Sequence, residues 1–98
     1  MIIISNVIYP PESAKEITRR FLQAPVLPDY ITKIGPYIST ERKDGVHSIT
    51  LYEVDNSRLA EALMAVGESL AIYMGVPGYT YDIKTYLEVE EGLKILGM

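Results

Sequence analysis

The segment from residue 2 to residue 9 constrains the fold most strongly, because it is a strand pattern that is apolar on both faces. It is rich in β-branched residues and runs into Pro10 and Pro11, which end a strand. Alternate residues of a strand point to opposite faces. One face therefore carries Ile2, Ile4 and Ile8, and the other carries Ile3, Val7 and Tyr9. A strand of this kind needs cover on both sides of its sheet.

The pattern after this strand is helical over residues 11–23, where Ala14, Ile17, Phe21 and Ala24 form one apolar stripe. A linker follows, with one helical turn predicted over residues 30–34. Two strands, residues 37–42 and 46–54, then flank a turn at Asp44-Gly45, a pair of residues typical of two-residue hairpins. This segment predicts a β-hairpin.

The register of this hairpin decides which side chains share a face. A two-residue loop places Tyr37, Ser39 and Glu41 opposite Tyr52, Thr50 and Ser48, which gives one hydroxyl-rich face. His47 then lies beside Arg42 on the other, aliphatic face. A loop of three residues would shift the register by one and mix the two sets.

The second half of the chain predicts a helix, a strand and a short helix. Asp55-Asn56-Ser57 is a helix-capping sequence, and the helix is expected to run to about Met74 with a broad apolar surface. Residues 79–87 alternate as a strand, and a short helix starts at Glu88. Asp82 and Lys84 share one face of that strand with Tyr86, which fits either a solvated edge strand or the polar wall of a pocket.

The order β-α-β-β-α-β, with a short C-terminal helix, predicts a single α+β domain over residues 1–98 with a ferredoxin-like, antiparallel four-stranded sheet. Right-handed crossovers place both main helices on one side of the sheet. The other side is then bare although the first strand offers it apolar residues, so we expect a second copy of the chain to cover it as a homodimer.

The element order, the chain length and the tyrosine-rich sheet face resemble the dimeric α+β barrel superfamily, in which two ferredoxin-like subunits join sheet to sheet. Three stretches that contain glycine or proline look like the characteristic turn segments of a bacterial or archaeal group within it: Leu27-Pro28-Asp29-Tyr30-Ile31, Gly35-Pro36-Tyr37 and Gly75-Val76-Pro77-Gly78-Tyr79. The superfamily includes small monooxygenases, isomerases, haem proteins and ligand-sensing modules. The resemblance thus implies a dimer, permits a cavity and names no reaction.

Composition excludes several classes of site. The chain has no cysteine, so disulfides and thiolate chemistry are absent. Its net charge is −4, and its one basic cluster, Lys15, Arg19 and Arg20, fits a solvated helix face better than a nucleic-acid site. Glu88, Glu90 and Glu91 complement a helix N-terminus, so we predict no metal and no cofactor. No membrane span or secretory signal is recognisable, which makes the cytoplasm the expected location.

The candidate functional residues form two groups. His47, the only histidine, and Glu41 are weak candidates for acid–base catalysis, and a structural role is favoured for His47 near a turn. The second group could line a ligand pocket at the sheet face: Tyr37, Ser39, Thr50, Tyr52 and Tyr86. We therefore expect a small-ligand-binding homodimer. A cofactor-independent enzyme of monooxygenase or isomerase type and a purely structural dimer are the alternatives.

Overall fold

A computed structural model of the chain describes residues 1–42 and 45–97. Its elements, in chain order, are β1 (Ile2–Tyr9), α1 (Ala14–Leu22), β2 (Thr32–Glu41), β3 (Gly45–Glu53), α2 (Leu59–Ala71), β4 (Thr80–Tyr86) and α3 (Val89–Ile95). A single 3₁₀ turn precedes each of α1 and α2, at Pro11–Ser13 and Asn56–Arg58. The predicted element order is confirmed.

The four strands form one antiparallel sheet in the order β2-β3-β1-β4. β1 and β3 are central, and β2 and β4 are the edges. This is the split βαβ arrangement of the ferredoxin-like fold, and the predicted α+β class is correct. In the part of the chain that the structure describes, no helix is long and apolar enough to cross a membrane.

The two faces of β1 differ as its sequence predicted. Ile3, Ser5, Val7 and Tyr9 are buried, and the apolar members of this set join the core formed with α1 and α2. The side chains of the other parity are only half-buried: Ile2, Ile4, Asn6 and Ile8. We call the first side of the sheet the helix side and the second side the open face.

The edge strand β2 starts at Thr32, so the helical turn predicted for residues 30–34 is wrong. The strand continues through Gly35-Pro36, although the sequence pattern predicted a strand only from Tyr37 onward. These two residues form an irregularity in the ladder between Ile34 and Tyr37, where Gly35 takes a φ of 101°. A proline that donates no backbone hydrogen bond is tolerated on an edge strand at such a bulge.

The predicted register of the hairpin is also wrong. Tyr37 lies opposite Ile49, Ser39 opposite His47, and Glu41 opposite Gly45. Gly45 has a φ of 88° and begins β3. The ladder thus ends at Glu41 and Gly45, and the predicted turn at Asp44-Gly45 falls partly on Asp44, which lies outside the described residues together with Lys43.

This register differs from the predicted one by three positions, and an odd shift exchanges the faces of one strand relative to the other. Tyr37, Ser39 and Glu41 consequently lie on the open face together with His47. Thr50 and Tyr52 lie on the helix side, since they pair with Ser5 and Ile3 of β1. The single hydroxyl-rich face predicted for the hairpin does not form.

Helix α2 is less buried than its composition predicted. One stripe, Ala62, Val66 and Leu70, packs into the core, whereas Met64 is 69% exposed. The helix ends at Ala71, three residues before the predicted end. Only part of the broad apolar surface predicted for this helix therefore packs into the core.

Arg20 joins the ends of the two main helices. Its Nη1 donates hydrogen bonds to the backbone carbonyls of Ile72 and Met74, both at 3.0 Å, and its Nε donates to Glu16 Oε1 at 2.8 Å. A cation at the C-terminal end of α2 also complements that helix dipole. The prediction of a fully solvated basic face is therefore wrong for Arg20, while Lys15 and Arg19 are exposed.

Candidate functional site

A cavity of ≈ 540 Å³ lies on the helix side of the sheet, bounded by α1, by residues 24–31 and by β2 and β3. Small-molecule sites in proteins typically measure about 300–1,000 Å³, so this volume suits a small ligand. α1 ends at Leu22, and four residues of the following segment also line the cavity: Ala24, Pro25, Val26 and Leu27.

The floor of the cavity is apolar and buried, and its rim is exposed. Val7, Ile17 and Leu70 contribute to the floor and belong to the hydrophobic core. At the rim, Phe21 is 44% and Ile38 is 67% exposed. An apolar ligand could remove this rim surface from water, at about 25 cal/mol for each Å² that it covers.

Hydroxyl groups supply most of the polar lining. Ser48, Thr50 and Tyr52 follow one another at alternate positions of β3, so all three point to the helix side. Tyr73 and Tyr79 add two further rings, 5.4 Å apart between centroids. Such hydroxyls both donate and accept hydrogen bonds, and can therefore orient a ligand that carries oxygen atoms.

Tyr73 and Tyr79 stay protonated well above neutral pH. Burial raises the pKa of Tyr73, and the neighbouring hydroxyls of Tyr52 and Tyr9 raise it further. Burial likewise raises the pKa of Tyr79, whose hydroxyl donates a hydrogen bond to the Leu70 carbonyl at 3.0 Å. Neutral tyrosines of this kind act as hydrogen-bond donors at physiological pH, and they are poor proton acceptors.

Lys33 is the one charged side chain among the described residues that line the cavity. It lies opposite Tyr52 on β2, and its Nζ is 5.5 Å from the centroid of the Phe21 ring at the rim. Within the described residues, its ammonium forms no salt bridge. The cavity thus combines apolar walls, neutral hydroxyls and a positive charge at its edge.

The five predicted pocket residues are divided between two surfaces. Thr50 and Tyr52 line the cavity. Tyr37, Ser39 and Tyr86 lie on the open face, since Tyr86 pairs with Ile2 there. Their role in ligand binding stays a prediction, but one shared pocket on this chain does not contain all five.

Sequence reasoning missed Lys33, Phe21 and Tyr73 as lining residues. Lys33 was missed because residues 30–34 were predicted as a helical turn, so the residue was not assigned to a face of the sheet. Phe21 was assigned to an apolar helix stripe, and Tyr73 lies within the helix predicted to run to about Met74. Aromatic residues on the apolar side of a helix usually belong to the core. The alternation of Ser48, Thr50 and Tyr52 along one strand was visible in the sequence and is the signal that could have located the cavity.

The open face carries an apolar surface of its own. Its central strands contribute half-buried aliphatic side chains, and Tyr37 and Tyr86 on the edges are 58% and 44% exposed. The aliphatic set is Ile2, Ile4, Ile8, Ile49 and Leu51. Helix α3 leaves much of its own apolar surface exposed as well, because Val89 and Ile95 are 77% and 73% exposed.

A row of three polar side chains, which we call the polar row, crosses this apolar surface. Asn6 donates from Nδ2 to Asp82 Oδ1 at 3.2 Å, and its Oδ1 lies 3.0 Å from His47 Nε2. The carboxylate of Asp82 accepts only, so the Asn6 amide must direct its oxygen toward His47. Nε2 of His47 therefore donates the hydrogen bond to Asn6 Oδ1.

The two residues proposed for catalysis are not joined by this geometry. His47 lies opposite Ser39, not beside Arg42, and its hydrogen-bond partner is an amide. Glu41 is exposed at the end of β2, and no hydrogen bond connects it to His47. A catalytic role for either residue stays a prediction.

The acidic start of α3 has a structural explanation. Glu88 caps the helix, and Glu88 and Glu91 form a reciprocal capping box. Asn56 donates to Glu91 Oε2 at 2.8 Å, and this hydrogen bond is the main reason why the pKa of Glu91 is lowered. Among the described residues, no three acidic or histidine side chains are grouped as metal ligands.

Comparisons with known proteins add a distant likeness. No protein-family model matches the chain, and no curated protein matches it. Among solved structures, the chain is similar to a DUF3240 family protein from Shewanella baltica OS155, with 13% sequence identity and a TM-score of 0.33. The similarity covers 89% of this chain and 91% of that one.

Proposed function

We propose that this protein binds a small, largely apolar molecule in the cavity on the helix side, and that it acts as a homodimer joined through the open face. The observation that carries the first part is the cavity itself, ≈ 540 Å³ in volume with an apolar floor and a hydroxyl-bearing wall. Cavities of this size and composition are the usual sites of small-molecule binding.

Binding is favoured over catalysis because the described lining of the cavity contains neither a carboxylate nor a histidine. Burial raises the pKa of Tyr73 and of Tyr79, so these two hydroxyls are poor proton acceptors. General acid–base catalysis needs a group whose pKa lies near the working pH, placed within hydrogen-bond reach of the substrate. The cavity instead offers neutral donors that orient a ligand.

Titration with the neutral apolar fluorophore N-phenylnaphthylamine tests the cavity. We expect saturable fluorescence enhancement with one site per chain. Ser48→Phe, which places a ring inside the cavity, should abolish it. Ser39→Phe makes the same exchange at an exposed position of the open face and is the matched control. Enhancement that survives Ser48→Phe in a folded variant would show that the probe binds elsewhere and would refute the proposed site.

The dimer is supported by an excess of surface. A monomer of 11.0 kDa typically exposes about 5,600 Å², whereas this chain exposes 6689 Å². Its radius of gyration is 15.0 Å, against about 13 Å for a compact chain of 100 residues. The difference in area, roughly 1,100 Å², is comparable with the about 800 Å² that each partner buries in a standard protein interface.

A second copy is the partner that fits the open face. The edges carry charged or proline residues, namely Asp82 and Lys84 on β4 and Pro36 on β2, which disfavour strand addition. The centre of the face is aliphatic except for Asn6 and His47, and exposed tyrosines flank it. Tyrosine is enriched at protein interfaces. Two such faces joined by a two-fold axis form the sheet-to-sheet dimer of the α+β barrel proteins that the chain resembles.

Analytical ultracentrifugation of paired variants tests the dimer. Tyr37→Asp places a charge on the open face, and we expect it to shift the equilibrium toward monomer by at least about tenfold, equivalent to about 1.4 kcal/mol. Met64→Asp introduces the same charge at an exposed apolar position of α2 and should leave the dimer intact. A wild-type monomer at micromolar concentration, or equal effects of the two variants, would contradict this interface.

A further inference from the structure

We infer that the molecule bound in the cavity is an anionic amphiphile, whose apolar body lies under α1 and whose negatively charged head binds the ammonium of Lys33. This inference rests on the proposed ligand-binding function and adds the chemical class of the ligand. Its basis is the distribution of charge around the cavity.

The position of Lys33 separates it from the other described lysines. Its neighbour across the ladder is Tyr52, which is 3% exposed, so the side chain of Lys33 starts above the cavity floor and reaches its rim. The Phe21 ring holds the ammonium through a cation–π contact of 5.5 Å, which restricts its position. A ligand head at the rim would therefore meet a cation that is already placed.

The charge of Lys33 is available to a ligand. No carboxylate among the described residues forms a salt bridge with it, although Arg19, Arg20 and Arg58 are all paired with glutamates. The described lining of the cavity contains no acidic side chain. A cationic ligand would find no counter-charge there and would meet Lys33 as a like charge, whereas an anionic head would gain a partner.

The remaining lining sets the character of the ligand body. The floor is built from core residues such as Val7, Ile17 and Leu70, so it favours an apolar chain or ring. Ser48 and Thr50 provide neutral hydroxyls along one wall, which tolerate a single oxygen atom in that body. A highly polar ligand such as a sugar or a nucleotide would leave most of its groups without hydrogen-bond partners on the floor.

Three probes of equal length, decanoate, decanol and decylammonium, test this inference by isothermal titration calorimetry below their aggregation concentrations. We expect decanoate to bind roughly three- to fivefold more tightly than decanol, as for a partly exposed ion pair. Decylammonium should bind roughly tenfold or more weakly than decanoate, because attraction becomes repulsion. Lys33→Gln should make decanoate no better than decanol and should leave decanol binding unchanged.

Lys84→Gln is the matched control, since Lys84 is an exposed lysine on the open face, and it should change none of the three affinities. Equal binding of the three probes, or loss of decanol binding in Lys33→Gln, would overturn the charge inference and leave the cavity as a binding site. Absence of binding by all three, or decanoate binding that persists in Ser48→Phe, would refute the proposed site as well.

An anionic head group occurs both on free amphiphiles such as decanoate and on membrane lipids. Flotation with phosphatidylglycerol vesicles and with phosphatidylcholine vesicles distinguishes binding of a free amphiphile from binding to an anionic membrane surface. We expect the protein to remain unbound with both, because the cavity accommodates a single molecule within the fold. Binding to phosphatidylglycerol vesicles without decanoate binding would overturn the inference in favour of a charged surface.

Discussion

The two sides of the sheet use similar residues for different purposes. On the helix side, Ile3 is completely buried and packs beneath the helices. On the open face, the next residue, Ile4, is equally apolar but only half-buried. The helix side is stabilised by contacts within one chain, and the open face is expected to be stabilised by contacts between chains. Neighbouring residues of one strand can therefore serve folding and association separately.

The largest effect is expected from truncating these two neighbours. Ile3→Ala removes side-chain volume from a site with no exposure and should lower the free energy of unfolding by about 2–5 kcal/mol. Ile4→Ala should cost less than half of that, and its cost should depend on protein concentration because association is affected. Urea denaturation at two protein concentrations measures both. Equal, concentration-independent costs would remove the distinction between the faces.

A second effect concerns the two main helices, α1 and α2, which pack on only one side of the sheet. Arg20→Met removes the hydrogen bonds to the Ile72 and Met74 carbonyls and should lower the free energy of unfolding by about 1–3 kcal/mol. Arg19→Met removes an exposed ion pair with Glu16 and should leave the free energy of unfolding nearly unchanged. Thermal denaturation compares them. Similar costs for the two variants would show that Arg20 does not join the helices.

Alkaline solution should weaken the helix side specifically. The pKa of Tyr73 is raised in the folded state by burial, so the unfolded chain loses its proton first as the pH rises past 10. The corresponding stability is fully present below pH 10 and is lost as the pH rises through the raised pKa. Tyr73→Phe should reduce the decline of unfolding free energy between pH 9 and about pH 11. If the decline of the unfolding free energy is unchanged in Tyr73→Phe, other titrating groups cause the loss of stability.

The smallest expected effect is a gain. Gly67 lies inside α2 with no atom within 4 Å of where a Cβ would be. Gly67→Ala should stabilise the chain by about 0.5–1 kcal/mol, because glycine loses the most conformational freedom in a helix. Gly45→Ala is the contrasting exchange, since its Cβ would lie 2.6 Å from Pro11 Cδ at a φ of 88°. Loss of stability in Gly67→Ala would mean that this face of α2 is covered by another molecule.

The sequence was informative wherever a local pattern determined structure. The two-sided apolar pattern of residues 2–9 predicted the central strand and its faces, and the element order predicted the ferredoxin-like sheet. These features depend on alternation and helical periodicity, which are readable over a few residues. The acidic start of α3 was likewise explained correctly by its position at a helix N-terminus.

The features that failed depend on backbone geometry and on distant parts of the chain. The pair Asp44-Gly45 is compatible with more than one pairing register, and the observed register places Tyr37 and Tyr52 on opposite faces of the sheet. A Gly-Pro pair usually ends a strand, but the edge strand β2 accommodates Gly35-Pro36 as a bulge. A ligand pocket that includes Thr50 and Tyr52 was predicted, but its lining by residues 24–27 and Ile31 was not. These residues belong to a segment without helical or strand periodicity, so the sequence pattern does not show where it packs.

The junction made by Arg20 also has a consequence for the rate at which a ligand would exchange. α1 forms one wall of the cavity, and the bond from its last turn to the end of α2 limits how far that wall can move. Residues 24–27 also line the cavity, and Val26 among them is 95% exposed. Residence time should then be governed by displacement of this short segment, so that changes within it alter association and dissociation rates together while the affinity stays nearly constant.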